Sequence, residues 1–380
     1  MTPLSLGYVP LVDAAPLIVA HALRFGAEES LALTLHPAPS WAALRDMLAM
    51  GQVQAAQMLA PLPVAMALGL AGPARFDALS TLNANGDVIG VSATIAAKMR
   101  ANGYGFDFTD ATLAAQALRA AAPTPLRIGV PFPFSMHREL VAYWLGADPI
   151  IHTVPPPRMA DALAADEIDA FCVGEPWGSV AVEQGAGDLL LPGSAIWGFH
   201  PEKVLAVQCG WADADPDLTG RLMRAVWRAG RWLGNATNSM MAAEILSSPL
   251  GVSPDIIERV LTGHMVISPK GEERHHPHMI AFHGAATFPW RSQAAWIGVQ
   301  LACRNGLDPV ASATIARTVF RTDLYRTHLA QAGADLPGAS EKLEGALSHP
   351  TPVSSERGRM ILPADRFFDA RIFDPADPAR

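Results

Sequence analysis

Short apolar strands alternate with helices from the start of the chain, and that alternation restricts the fold more than any other feature of the sequence. Residues 4–8 read as a strand, a proline-marked loop follows, and a helix begins at about Asp13, whose carboxylate is placed to cap it. LALTLHPA (31–38) reads as a second strand, and WAALRDMLAMG (41–51) as a helix that ends at Gly51. Units of this kind favour a mainly parallel sheet, with ligands gathered outside the carboxyl ends of its strands. The pattern goes on with a strand at 76–82, a polar NANGD turn (83–87) and a strand at 88–92. It resumes with a helix at 109–121, a strand at 126–132, a helix at 136–146, and strands at 150–154 and 170–173. Beyond Lys203 the chain turns mostly helical, at 218–234, 240–246, 254–261 and 292–305, and the tail from Pro350 reads as an exposed or docking extension. The layout this suggests is two βα halves, the second inserted into the first, with a cleft between two lobes. Lobe I takes residues 1–92 and 196–380, including a helical C-terminal extension, and lobe II takes 93–195.

Composition excludes several classes. With 28 Lys+Arg against 36 Asp+Glu the formal net charge is −8, and there is no basic stripe, so nucleic acid is not an expected partner. The apolar run 58–74 is interrupted by Pro61, Pro63, Pro73, Gly69 and Gly72, which is unlike a membrane helix. The first basic side chain is Arg24, and Pro10, Asp13 and Pro16 break the first apolar run, which is unlike a secretory signal. Cys172, Cys209 and Cys303 are odd in number and widely spaced, against both a disulfide framework and a zinc site. A soluble cytoplasmic protein is the expectation. The nucleophile-elbow, zinc-protease and phosphate-loop signatures are missing, as is a dinucleotide fingerprint after a strand.

The residues that could carry chemistry are few. Only four lysines occur (Lys98, Lys203, Lys270, Lys342), and Lys203 stands in GFHPEKVLAV at the start of an apolar strand, where it can hold an anion or simply snorkel to the surface. His137 lies in the first turn of a helix, where free N–H groups and the dipole suit an anion, although a lone histidine is usually structural. Trp41 offers an indole N–H at a helix start capped by Ser40, or a packed ring. Gln57 could supply an amide, cap a helix or lie on the surface. Glu175, after a buried strand, could take a metal, a proton or a cation, or pair with Lys203 or an arginine. The histidine-rich ERHHPHMIAFH (273–283) fits no zinc pattern, because Pro277 breaks any helix between its histidines, and reads as a solvated turn.

Taken together, SW…RD (Ser40, Trp41, Arg45, Asp46), AAQMLAPLPVAMALG (55–69), LNANGDVIGVS (82–92), Phe132-Pro133 with His137, VPPPRM (154–159), IDAFCVGEPW (168–177), HPEKVL (200–205) and GAATFPWRSQAAWI (284–297) resemble the nitrate- and bicarbonate-binding proteins of ABC importers. The resemblance implies an α/β, two-lobed periplasmic-binding-protein-like fold of type II, each lobe a mainly parallel sheet flanked by helices, with the ligand cleft between lobes. It implies that Trp41, His137 and Lys203 contact a nitrate or nitrite ion, with Asn85, Gly86 and Asp87 of the turn nearby. It implies no cofactor, no metal and no catalytic residue.

Within that family the branch without export signals resembles cytoplasmic nitrate/nitrite sensors of the NasS type. The expected role is then a sensor that sequesters an ANTAR-type RNA-binding antiterminator (NasT-like) until the anion binds, with no membrane and no direct nucleic acid. Two alternatives stand beside it: the substrate-binding component of a nitrate/bicarbonate importer, and an enzyme of the thiamine-pyrimidine-synthesis type on the same fold. The enzyme would need a nucleophilic Cys or His in the cleft, and Cys172 reads as core.

Overall fold

The structure, a computed structural model, describes residues 1–146 and 149–379. Two sheets carry the fold. The first runs β13 (Ile280–Ala281), β4 (Phe76–Asn85), β10 (Pro201–Gln208), β3 (Ala55–Leu59), β1 (Thr2–Tyr8), β2 (Leu31–Pro37). The second runs β7 (Ile150–Thr153), β6 (Arg127–Val130), β8 (Ala170–Gly174), β5 (Asp87–Ser92), β9 (Gly187–Pro192). Each is flanked by helices, as a two-lobed periplasmic-binding-protein fold of type II requires.

Both sheets are mixed, where βα units had suggested mainly parallel ones. β1 pairs parallel with β2 and β3, but β10 lies antiparallel between β3 and β4. In the second sheet β6 pairs parallel with β7 and β8, and β5 lies antiparallel between β8 and β9. The antiparallel strands β5 and β10 are those by which the chain enters the other lobe. They need no crossover helix, so the βα rhythm does not reveal them.

NANGD is therefore not a surface turn. Residues 83–87 are buried, and the chain changes sheet at Gly86, so β5 belongs to the second sheet and the crossing comes before the boundary expected at 92. Asn85 (φ 60°) and Gly86 (φ 108°) make the corner. A Cβ on Gly86 would lie 2.8 Å from Ile280 Cδ1, so both the positive φ and the close approach call for glycine here. The chain returns through residues 193–200.

The buried strands read as continuous apolar runs because helices cover both faces. All of β3 and β8 is buried, as is all but the last residue of β10. The tail docks: Phe367 stacks on Trp197 at 4.9 Å, and Asp369 accepts from the Tyr143 hydroxyl at 3.0 Å, which ties the C-terminus to the second lobe's helix Met136–Leu145. Arg304 of the helix Arg291–Asn305 pairs with Glu139 on that same helix. No helix among the described residues is long and apolar enough to cross a membrane.

Candidate functional site

Where the lobes meet, a group of charged and polar side chains is sealed from solvent. The backbones touch there: Val12 N–H donates to Glu175 O at 2.9 Å, and the Trp177 indole donates to Pro10 O at 2.9 Å. Gly174 ends β8 against this junction, and a Cβ on it would come within 2.7 Å of Leu11 Cδ2, 3.3 Å of Asp13 Oδ2 and 3.7 Å of His137 Nε2.

Lys203 is at the centre, 0 % exposed. In a regular strand Glu202 and Lys203 would point to opposite faces, yet both converge on the junction. The β10–β4 register shifts on either side of Lys203, and such an irregularity re-aims adjacent side chains. Lys203 Nζ bonds Asp13 Oδ2 at 2.7 Å and also pairs with Glu202 Oε1. Burial opposes the ammonium charge, but the two carboxylates outweigh it and hold the Lys203 pKa above its usual value. The ammonium also lies 5.2 Å from the centre of the Trp41 ring.

Asp13 does not cap a helix, because it sits in the 3-10 turn Val12–Ala14 with no side-chain capping bond. One carboxylate oxygen takes the Gln57 amide and the other takes Lys203. Gln57 is fully buried in β3, neither cap nor surface residue, and its oxygen accepts from Val9 N–H at 2.9 Å. It positions Asp13.

Trp41 starts the helix Trp41–Ala49, which Ser40 caps by accepting from Ala43 N–H at 3.2 Å. His137 is in the first turn of its helix, capped by Ser135, with Nδ1 3.4 Å from Glu202 Oε1. Burial, reinforced by Lys203, pushes the His137 pKa down to about 3, so the ring is neutral at physiological pH. Trp41 Nε1, both His137 ring nitrogens and Glu202 Oε2 are buried without a hydrogen-bond partner. Buried polar atoms without partners are rare in folded proteins and mark a place where a ligand's own polar atoms would complete the set.

Asp87 is fully buried and bonds His200 Nε2 at 2.8 Å. The other nitrogen, Nδ1, faces Trp197 O at 3.0 Å, and a carbonyl only accepts. Both ring nitrogens therefore carry hydrogen, and His200 is an imidazolium paired with an Asp87 carboxylate. Burial would push Asp87 up and His200 down, but each charge overrides it, so Asp87 titrates below the usual carboxylate range and His200 above the usual imidazole range.

Other sequence candidates lie elsewhere in the chemistry. The Asn85 side chain donates to Gly198 O and His278 O, each at 3.1 Å, and accepts from His200 N–H at 3.2 Å, so it fastens the crossover. Gly86 makes the corner. Glu175 turns to the helix Trp177–Glu183 and accepts from Ser179 N–H at 3.0 Å, pairing with neither Lys203 nor an arginine. Its second oxygen has no partner, and burial lifts its pKa to about 7. Cys172 is buried beside Asp87, which with burial raises its thiol pKa further, the opposite of an activated nucleophile. In the histidine-rich segment, His275 belongs to β12 (Glu273–His275), paired with β11 (His264–Val266), and His276 Nε2 lies 2.7 Å from Ser194 Oγ. Among the described residues no group of three or more His, Cys, Asp or Glu is placed to hold a metal ion.

Thus Trp41, Gln57, Asp87, His137 and Lys203 come together, while Asn85, Gly86 and Glu175 serve the frame. Asp13, Glu202 and His200 join the group without having stood out in the sequence. Glu202 and His200 lie within HPEK beside Lys203, but only the shift in register and the crossover bring them inward.

Comparison with known proteins agrees with this picture. Residues 1–247 match the NMT1-like family. The nitrate/nitrite-binding protein NrtA of Nostoc sp. is 29 % identical over 395 residues, covering 99 % of this chain and 84 % of the relative. The bicarbonate transport ATP-binding protein CmpC of Synechocystis is 30 % identical over 394 residues, covering 99 % of this chain and 54 % of that longer protein, so the chain spans about half its length. The crystal structure of the periplasmic nitrate-binding protein NrtA from Synechocystis superposes with a TM-score of 0.83 at 25 % identity, covering all of this chain and 97 % of that one.

Proposed function

Since the chain belongs to the NMT1-like family and is similar to NrtA-type nitrate-binding proteins, we propose that it is a receptor for a small oxyanion of the nitrate/nitrite class. One observation carries the reading: a neutral His137, the Trp41 indole N–H and the third N–H of Lys203 are buried donors that lack acceptors within the protein. Nitrate is planar, weakly basic and needs several directional donors around one cation, which is what this group offers. Water excluded by the closed lobes would otherwise weaken each contact.

The natural employer of such a receptor is an ABC importer, since similar proteins include a nitrate import ATP-binding protein and a bicarbonate transport ATP-binding protein. Binding would hold the lobes together, and a partner would read the surface that spans both, where Arg304 pairs with Glu139 and Tyr143 with Asp369. A second reading, a cytoplasmic sensor whose closure releases an antiterminator of the NasT type, would use the same two-lobed closure. Pull-down with and without nitrate separates the two: a permease complex favoured by the anion supports the importer, and an antiterminator complex dissolved by it supports the sensor.

Binding itself is tested by calorimetric titration with nitrate, nitrite and bicarbonate. We expect one-to-one binding of at least one of them, weakened about 100-fold or more in Lys203→Met. Lack of heat with all three, or a Lys203→Met titration equal to wild type, contradicts the reading.

A further inference from the structure

We infer that Glu202 takes up a proton when the anion binds, so that this site loads an oxyanion and a proton together; this rests on the oxyanion-receptor reading above. The argument starts from a charge count. The sealed group holds two cations, Lys203 and the His200 imidazolium, against the carboxylates of Asp13, Asp87 and Glu202. It is already one negative charge in excess, and a bound nitrate would raise that to two in a group shielded from bulk solvent. Buried charge of that kind is relieved by protonation rather than tolerated.

Geometry selects the acceptor. Asp13 Oδ1 accepts from Gln57, and Asp13 Oδ2, although it accepts no hydrogen bond, is ion-paired with Lys203 Nζ at 2.7 Å. Asp87 is committed to the His200 imidazolium. Glu202 Oε2 is buried with neither a hydrogen-bond partner nor an ion-pair partner of its own, so a proton can sit there without displacing a cation. Protonation also changes its role: a carboxylate beside a nitrate repels it, whereas the Oε2–H group would donate to it as a fourth donor beside Trp41, His137 and Lys203.

Every group that faces Glu202 is accounted for. Lys203 on the same strand lowers its proton affinity, and Asp13 of the 3-10 turn and Asp87 of β5 raise it, while burial raises it most, giving a pKa of about 7. His137 from the helix across the junction is neutral, with its own pKa near 3. His200 already carries both protons, and Cys172 of β8 is a neutral thiol raised by burial and then by Asp87 and Glu202. Burial raises Asp13 as well, but the Lys203 ammonium against its free oxygen opposes a proton there, which leaves Glu202 as the carboxylate placed to take one. The sign follows: with the site already protonated below about pH 7 the affinity is level there, and it falls with each pH unit above as the proton must be collected on binding.

The test is nitrate titration by calorimetry from pH 6 to 9, in buffers of differing ionisation enthalpy that count the protons taken up. The expected result for the intact protein is a near-tenfold loss of affinity per pH unit above about 7.5, with close to one proton taken up at pH 8.5. Glu202→Gln should flatten the profile and bind nitrate at least tenfold more tightly than the intact protein at pH 8.5. Glu175→Gln, which removes the other buried carboxyl of similar pKa, should keep the full slope. Binding with a flat profile and no proton uptake overturns the coupling while leaving the receptor reading in place. A slope lost in Glu175→Gln assigns the proton elsewhere and likewise overturns it. Absence of heat with nitrate, nitrite or bicarbonate at every pH overturns the receptor reading and the coupling with it.

Discussion

Two of the four lysines are withdrawn from solvent, and each is held between two carboxylates, yet they do opposite things. Lys342 Nζ bonds Glu344 Oε2 and Asp365 Oδ2, each at 2.5 Å. The remaining oxygens are used as well: Glu344 Oε1 accepts from Ser292 Oγ at 2.6 Å, and Asp365 Oδ1 from Leu347 N–H at 2.8 Å. That network is complete and fastens the C-terminal tail to the helix Arg291–Asn305. Around Lys203 the same arrangement is left open, with Trp41 Nε1, the His137 ring and Glu202 Oε2 lacking partners. A buried ion pair by itself therefore says little about function; what marks a binding site is the polar atoms that its surroundings leave unanswered.

The comparison breaks most visibly at Lys342. Lys342→Met leaves two buried carboxylates without their cation and should cost about 3–5 kcal/mol of folding stability in urea denaturation, while the folded fraction still binds nitrate. A variant as stable as the parent would mean that the tail staple is idle. At Lys203 the expected loss is of ligand. Lys203→Met should weaken nitrate about 100-fold or more, the scale of one charge-assisted hydrogen bond in a dry site. Its stability cost should be the smaller of the two, because Glu202 can take a proton in place of its cation.

Glu175 sharpens the comparison further, since it too has an unpartnered oxygen but lies off the cluster, on a helix end. The folded protein holds its proton more tightly than the unfolded chain does, so the carboxyl's contribution to stability is present below the ordinary carboxylate range and is lost as pH rises through about 7. Glu175→Gln should therefore stabilise the protein at pH 8 by about 1–3 kcal/mol, do little at pH 5, and leave nitrate affinity alone. Denaturation at both pH values measures it, and an equal effect at the two would contradict the assignment. The smallest effect belongs to Trp41→Phe, which removes an N–H that the protein itself leaves unbonded. Unliganded stability should fall by about 1 kcal/mol, because the smaller ring leaves a gap in a buried site, with nitrate binding roughly tenfold weaker, about 1.4 kcal/mol.

How much of this could be read from the sequence differs from residue to residue. Many of the strands and helices follow from apolar runs, and the start of the helix Trp41–Ala49 from its cap Ser40, because those signals are local. Lys203, His137 and Trp41 were legible as scarce or well-placed donors, and the resemblance gathered them into one site. Asn-Gly at 85–86 carried a true local signal, positive φ at both residues, but the same backbone serves a hairpin or a change of sheet, and only tertiary structure decides. The partnership of His200 with Asp87 spans 113 residues and depends on both crossings of the chain. Glu202 was hidden by the twofold alternation of strands, which the shift in register at Lys203 overrides. Asp13 looked like a helix cap because an acidic residue before an apolar run usually is one.

The central claim is that the unanswered donors around Lys203 are answered by an anion, and a crystal structure of the protein grown with nitrate tests it most directly. The account predicts a planar ion between the lobes, within hydrogen-bond distance of Trp41 Nε1, His137 and Lys203 Nζ, with Asp87 still on His200. A nitrate found elsewhere on the protein, with these three groups left without it at saturating concentration, would contradict it.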